Sequence, residues 1–66
     1  MPFVQISIAE GRSPEQIRAL IHEVSNAVVR SIGAPLANVR VVVTEVPLTH
    51  WAAGDVTLQE RKSHGD

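Results

Sequence analysis

The 66-residue chain contains no cysteine, so disulfides and thiolate metal sites are excluded as sources of stability. Tyrosine is absent too, and Phe3 and Trp51 are the only aromatic residues. Neither sign of charge is in real excess: six basic and seven acidic side chains give a formal net charge of −1. That balance offers no electrostatic footprint for nucleic acid or for an acidic membrane surface. No apolar run approaches the roughly 20 residues of a membrane span, and no charged n-region leads into an apolar h-region. His22, His50 and His64 are scattered and lack an HxxxH spacing, which argues against a structural metal. No bound cofactor is expected, and the default location is the cytoplasm.

What is present is aliphatic. Hydrophobic residues make up 44% of the chain, mostly valine, isoleucine, leucine and alanine, which is too apolar for a disordered chain. Residues 1–66 are read as a single domain. A domain this small buries only about 60% of the surface its unfolded chain exposes, and its stability is marginal without help. With disulfides and metals set aside, self-association is the remaining helper.

Val4, Ile6 and Ile8 alternate with Phe3, Gln5 and Ser7, the period of a strand with at least one buried face. Gly11 lies in the loop that follows. Ser13-Pro14-Glu15-Gln16 has the cap, the first-turn proline and the capping-box glutamine of a helix start. Ile17, Leu20, Ile21, Val24, Ala27, Val28 and Ile32 then form one apolar stripe, and Gly33 and Pro35 end the helix. Val39 to Val46 reads as a second, doubly buried strand of a parallel sheet. Strand, helix and strand make one α/β unit of β-α-β type. One helix covers one face of two strands, so the other face requires a second copy. Ala52-Ala53 and Val56-Thr57 are the arms of a short hairpin around Gly54-Asp55. Leu58 to Asp66 is read as a polar, frayed end.

Four residues could carry chemistry. Pro2, if Met1 is removed, carries a free secondary amine at the start of a strand tied into the core. An α-amino group has a reference pKa of about 8, and apolar walls and nearby arginines both disfavour its protonated form. The alternative is a proline that only starts a strand. Arg40 stands among five valines, which is costly unless its guanidinium meets an anion or solvent. An acid such as Glu45 across an oligomer would also serve. Arg12 is an anion anchor or a solvated loop residue. Trp51, on its own, reads as an oligomer-interface or core aromatic.

Taken in order, Met1-Pro2, Glu10-Gly11-Arg12-Ser13, the helix, Ala34-Pro35-Leu36, Val39 to Glu45 and His50-Trp51 resemble the 4-oxalocrotonate tautomerase family. That family belongs to the tautomerase superfamily, which also contains macrophage migration inhibitory factor. The resemblance runs from Met1 to about Gly54. It implies the tautomerase fold, a homohexamer, and loss of Met1 to free Pro2 as general base. The expected reaction is a cofactor-independent 1,3- or 1,5-proton shift in an unsaturated 2-hydroxy or 2-oxo acid such as 2-hydroxymuconate, a step of aromatic hydrocarbon catabolism. Arg40 would then hold a carboxylate and the developing oxyanion, Arg12 the remote carboxylate, and Trp51 the apolar wall. The family's arginines come from neighbouring subunits. Alternatives are water addition or dehalogenation of an unsaturated acid, or a silent structural subunit. Trp51 stands where familiar members have phenylalanine, and Ala52 to Asp55 is less glycine-rich than their hairpin.

Overall fold

Val4, Ile6 and Ile8 turn to one side of an extended strand, β1 (Phe3–Ala9), while Phe3, Gln5 and Ser7 turn to the other. The computed structural model describes residues 1–64. β1 pairs in parallel with β2 (Arg40–Val46), in register from Phe3↔Arg40 to Ala9↔Val46. The second strand thus begins one residue later than the valine run suggested, because Val39 closes a 3₁₀ turn over Leu36–Asn38.

Between the strands runs α1 (Pro14–Ile32). Its start follows from local chemistry: the Ser13 hydroxyl accepts from the Gln16 N–H at 3.2 Å, and the Gln16 side chain accepts from the Ser13 N–H at 2.9 Å. At the other end Gly33 adopts φ 71°, which a residue with a Cβ resists, and donates to the Val29 carbonyl at 3.0 Å. Ile17, Leu20, Ile21, Val24 and Val28 are half-buried against the sheet, whereas Ala27 and Ile32 are exposed. At 100° per residue Ala27 lies about 80° from Ile17, at the margin of the stripe, and Ile32 is the last residue of the helix.

The helix covers the Val4, Ile6, Ile8, Val41 and Val43 face. The opposite face is bare in the single chain: Phe3 is 61% exposed and Val42 41%. As expected for one helix on two strands, the second face of β2 finds no cover within one chain. Among the described residues none is buried, and the radius of gyration is 15.1 Å, against about 11 Å for a compact chain of this length. The β-α-β unit has a helix-covered side but no closed core.

The hairpin forms as its sequence indicates. β3 (Ala52–Ala53) and β4 (Val56–Thr57) pair antiparallel across Gly54 and Asp55, whose φ values of 60° and 64° give a type I′ loop. The polar tail differs from expectation. Leu58–His64 is a second helix, α2, started by a reciprocal cap in which the Thr57 N–H donates to Glu60 Oε1 at 2.8 Å and the Glu60 N–H to Thr57 Oγ1 at 3.1 Å. The fraying expected at the very end concerns residues 65–66, which lie outside the described residues, as does the His64 side chain. Among the described residues no helix is long and apolar enough to cross a membrane.

Candidate active site

Pro2 lies just ahead of β1 and is half-buried. Its carbonyl accepts the Arg40 N–H at 3.0 Å, so the parallel ladder continues one residue past the strand. Proline suits that position, since its missing N–H leaves no ladder donor unpaired there. Met1 precedes the ladder and is 82% exposed.

Arg40 opens β2 directly opposite Phe3. The 3₁₀ turn before it is set by Pro35, whose carbonyl accepts from Asn38 at 2.9 Å. That turn presents the Ala37 carbonyl, to which Arg40 Nη1 donates at 2.9 Å. Among the described residues the guanidinium makes no ion pair. Pairing with Glu45 does not occur within one chain. The two lie on opposite faces of β2, five residues or roughly 17 Å apart along the strand.

The ladder brings Pro2 and Arg40 to one end of the sheet, but the alternation sends their side chains to different faces. Pro2 shares the helix side with Val4, and Arg40 projects from the bare side with Phe3 and Val42. Arg12 is elsewhere. It follows the far end of β1, seven residues of strand or about 23 Å from Pro2. There it lines a cavity of about 330 Å³ with Ile8, Gln16, Ile17 and Leu20. Trp51, half-buried, enters the chain beyond the far end of β2, at the junction between a 3₁₀ turn (Leu48–His50) and β3. Its carbonyl accepts from the Leu58 N–H at 2.8 Å, which ties it to the start of α2. Of the four residues singled out from the sequence, one chain gathers only Pro2 and Arg40.

Gln16 was read from the sequence only as a capping residue, yet it also lines the Arg12 cavity. The available signal was its place on the first turn of the helix that the Arg12 loop leads into. A second hollow of about 450 Å³ lies on another side of α1, lined by Arg18, Ile21, His22, Ser25, Asn26 and Leu36. It contains none of the four residues. Among the described residues no group of three or more His, Asp and Glu side chains is arranged to hold a metal ion.

Comparison with known proteins agrees with this architecture. The family described as "Tautomerase enzyme" matches residues 2–61. The 2-hydroxymuconate tautomerase of Stutzerimonas stutzeri is 56% identical over 54 residues, covering 82% of this chain and 86% of that protein. TomN, a 4-oxalocrotonate tautomerase homologue in the tomaymycin biosynthetic pathway, superposes with a TM-score of 0.95 at 32% identity, covering 98% of this chain and 100% of its own. A heterohexamer 4-oxalocrotonate tautomerase from Chloroflexus aurantiacus J-10-fl gives a TM-score of 0.87 at 40% identity, covering 91% of this chain and 97% of its own. With sequence match, fold and element order in agreement over nearly the whole chain, the protein belongs to the 4-oxalocrotonate tautomerase family and is a tautomerase enzyme.

Proposed function

We propose that this chain, once Met1 is removed, ketonises 2-hydroxymuconate or a close unsaturated 2-hydroxy dicarboxylate, with the Pro2 nitrogen as general base. The observation that carries the reading is the Pro2–Arg40 ladder bond at 3.0 Å. It fixes a strand-anchored N-terminus beside an arginine that no carboxylate among the described residues neutralises. Removal of Met1 turns the Pro2 nitrogen from a tertiary amide, which has no basicity, into a secondary amine. Met1 makes no ladder contact that its loss would break.

In the reaction the amine takes the proton of the 2-hydroxyl group. The O–H electron pair becomes the carbonyl π bond, the C2=C3 pair moves to C3=C4, and the C4=C5 pair takes the proton back from the amine at C5. No redox partner is needed. Negative charge develops on the C2 oxygen, and a guanidinium such as Arg40 stabilises it most where charge is greatest, in the transition state. Arg12 holds the remote carboxylate and Trp51 supplies an apolar wall.

One chain cannot assemble this set, because Arg12 and Pro2 stand at opposite ends of β1. A two-fold copy pairing antiparallel along the free edge of β1 runs the partner subunit's Pro2 past this chain's Arg12 cavity. Further copies cover the bare face, from which Arg40 projects. The absence of a closed core among the described residues, the exposed Phe3 and Val42 and the long radius of gyration support such an assembly, and we propose a homohexamer.

The test is ultraviolet-monitored ketonisation of 2-hydroxymuconate by protein whose mass confirms loss of Met1. The expected outcome is turnover that falls by at least about 10²-fold in Pro2→Ala, the scale of a lost general base. It should vanish in protein that retains Met1. Equal activity with and without Met1 would remove Pro2 from the mechanism.

A further inference from the structure

We propose that Gln16 is a specificity-determining residue that completes, with Arg12, the subsite for the substrate's remote carboxylate. This rests on the reading of Arg12 given above. Both side chains line the same cavity of about 330 Å³, whose other walls are the apolar Ile8, Ile17 and Leu20. Such a volume lies at the small end of ligand sites, suited to one end of a short acid.

The orientation of the Gln16 amide is not arbitrary. A backbone N–H can only donate, so the atom that receives the Ser13 N–H at 2.9 Å is the carbonyl Oε1. The capping box thus anchors Oε1 at the helix start and leaves Nε2 with both hydrogens uncommitted among the described residues. A carboxylate offers about four acceptor positions, and an arginine fork satisfies two of them. An amide donor on the first turn of α1, lining the same cavity as Arg12, supplies a third. It costs little to use, because the helix cap already holds the side chain in place. The sequence therefore uses one residue twice: Oε1 starts the helix, and Nε2 is left to donate to a ligand in the cavity that the residue lines.

The experiment compares kcat/KM for 2-hydroxymuconate with that for 2-hydroxy-2,4-pentadienoate, which lacks the remote carboxylate. The full Met1-free chain is used as wild type and as Gln16→Met, Gln16→Glu and Arg12→Ala. Gln16→Glu keeps an acceptor for the Ser13 N–H, so the helix start is retained while the donor is lost and a negative charge added. The ratio of the two kcat/KM values should fall about tenfold in Gln16→Met, as expected for one hydrogen bond to a charged group. The loss should reside in KM, and Gln16→Glu should lose more. A wild-type ratio in Gln16→Met overturns the proposal, even if Gln16→Glu is impaired through its charge. An equal loss on both substrates in the Gln16 variants marks a structural effect and overturns it as well. If Arg12→Ala collapses the ratio while Gln16→Met does not, only the role of Gln16 is lost. If Arg12→Ala affects both substrates equally, the reading of Arg12 fails with it.

Discussion

The two faces of the β1–β2 sheet are built from alternate residues of the same fourteen-position ladder, yet they have different tasks. The helix-covered face presents Val4, Ile6, Ile8, Val41 and Val43, all aliphatic, and only Glu45 at its far end breaks the pattern. The bare face presents Phe3, Gln5, Ser7 and Ala9 opposite Arg40, Val42, Thr44 and Val46. It is too apolar for a surface that remains in water and too polar for an isolated core. Mixed composition of this kind suits a face that meets other polypeptide, where each polar group can find a partner. One parity of residues thus forms the β-α-β unit. The other parity carries Arg40 and the surface on which the proposed assembly forms.

The sharpest way to break this contrast is a charge on the bare face. Val42→Asp leaves the helix-covered side untouched but places a carboxylate where copies are proposed to meet, and a buried unpaired charge is strongly disfavoured. Sedimentation should show dissociation, and 2-hydroxymuconate turnover should fall by more than about 10²-fold, because the split site needs neighbouring copies. Ala19→Lys, on the exposed side of α1, should stay assembled. A Val42→Asp protein that remains assembled and active would show that the bare face is not the interface. Arg40→Ala sharpens the comparison differently. It should lower kcat by about 10²–10³-fold, the scale of a lost oxyanion donor, and move stability by only about 0.5 kcal/mol, as for exposed residues without special roles. Thermal unfolding beside kinetics tests this. A matching loss of both would make Arg40 a structural residue.

The β-α-β unit and hairpin were legible because each rests on local rules. The Val4-Ile6-Ile8 alternation, the Ser13–Gln16 box, Gly33 and the Gly54-Asp55 loop all act within a few residues of themselves. Ala27 was misread because periodicity defines a stripe and not its width, and Ile32 because periodicity does not say where along its length a helix loses its cover. The site was less legible. Which residues carry chemistry came from a family resemblance, and where they meet depends on pairing between strand ends and on copies of the chain. Gln16 was hidden by its obvious task as a cap. The ladder bond from Arg40 to Pro2 depends on register, which two short apolar runs do not specify before they are paired.

The missed helix α2 leads to the smallest effect. Thr57-Leu58-Gln59-Glu60 has the pattern of a capping box, but charge in Leu58 to Asp66 obscured it and the segment read as a tail. A seven-residue helix is far below the length at which helices persist alone in water. Its order must come from its ends and its packing. The Thr57–Glu60 cap supplies one end, the Leu58 N–H bond to Trp51 fixes the entry, and Arg61 Nη2 donates to the Ala53 carbonyl at 3.2 Å. Glu60→Ala should remove about 1 kcal/mol of local stability. Hydrogen exchange at the α2 amides should then accelerate roughly fivefold, without change at β1 and β2. Glu60→Gln, which still accepts from the Thr57 N–H, should restore most of the protection. Exchange that is equally slow in Glu60→Ala would mean that packing against the Trp51 turn, and not the cap, holds α2 in place.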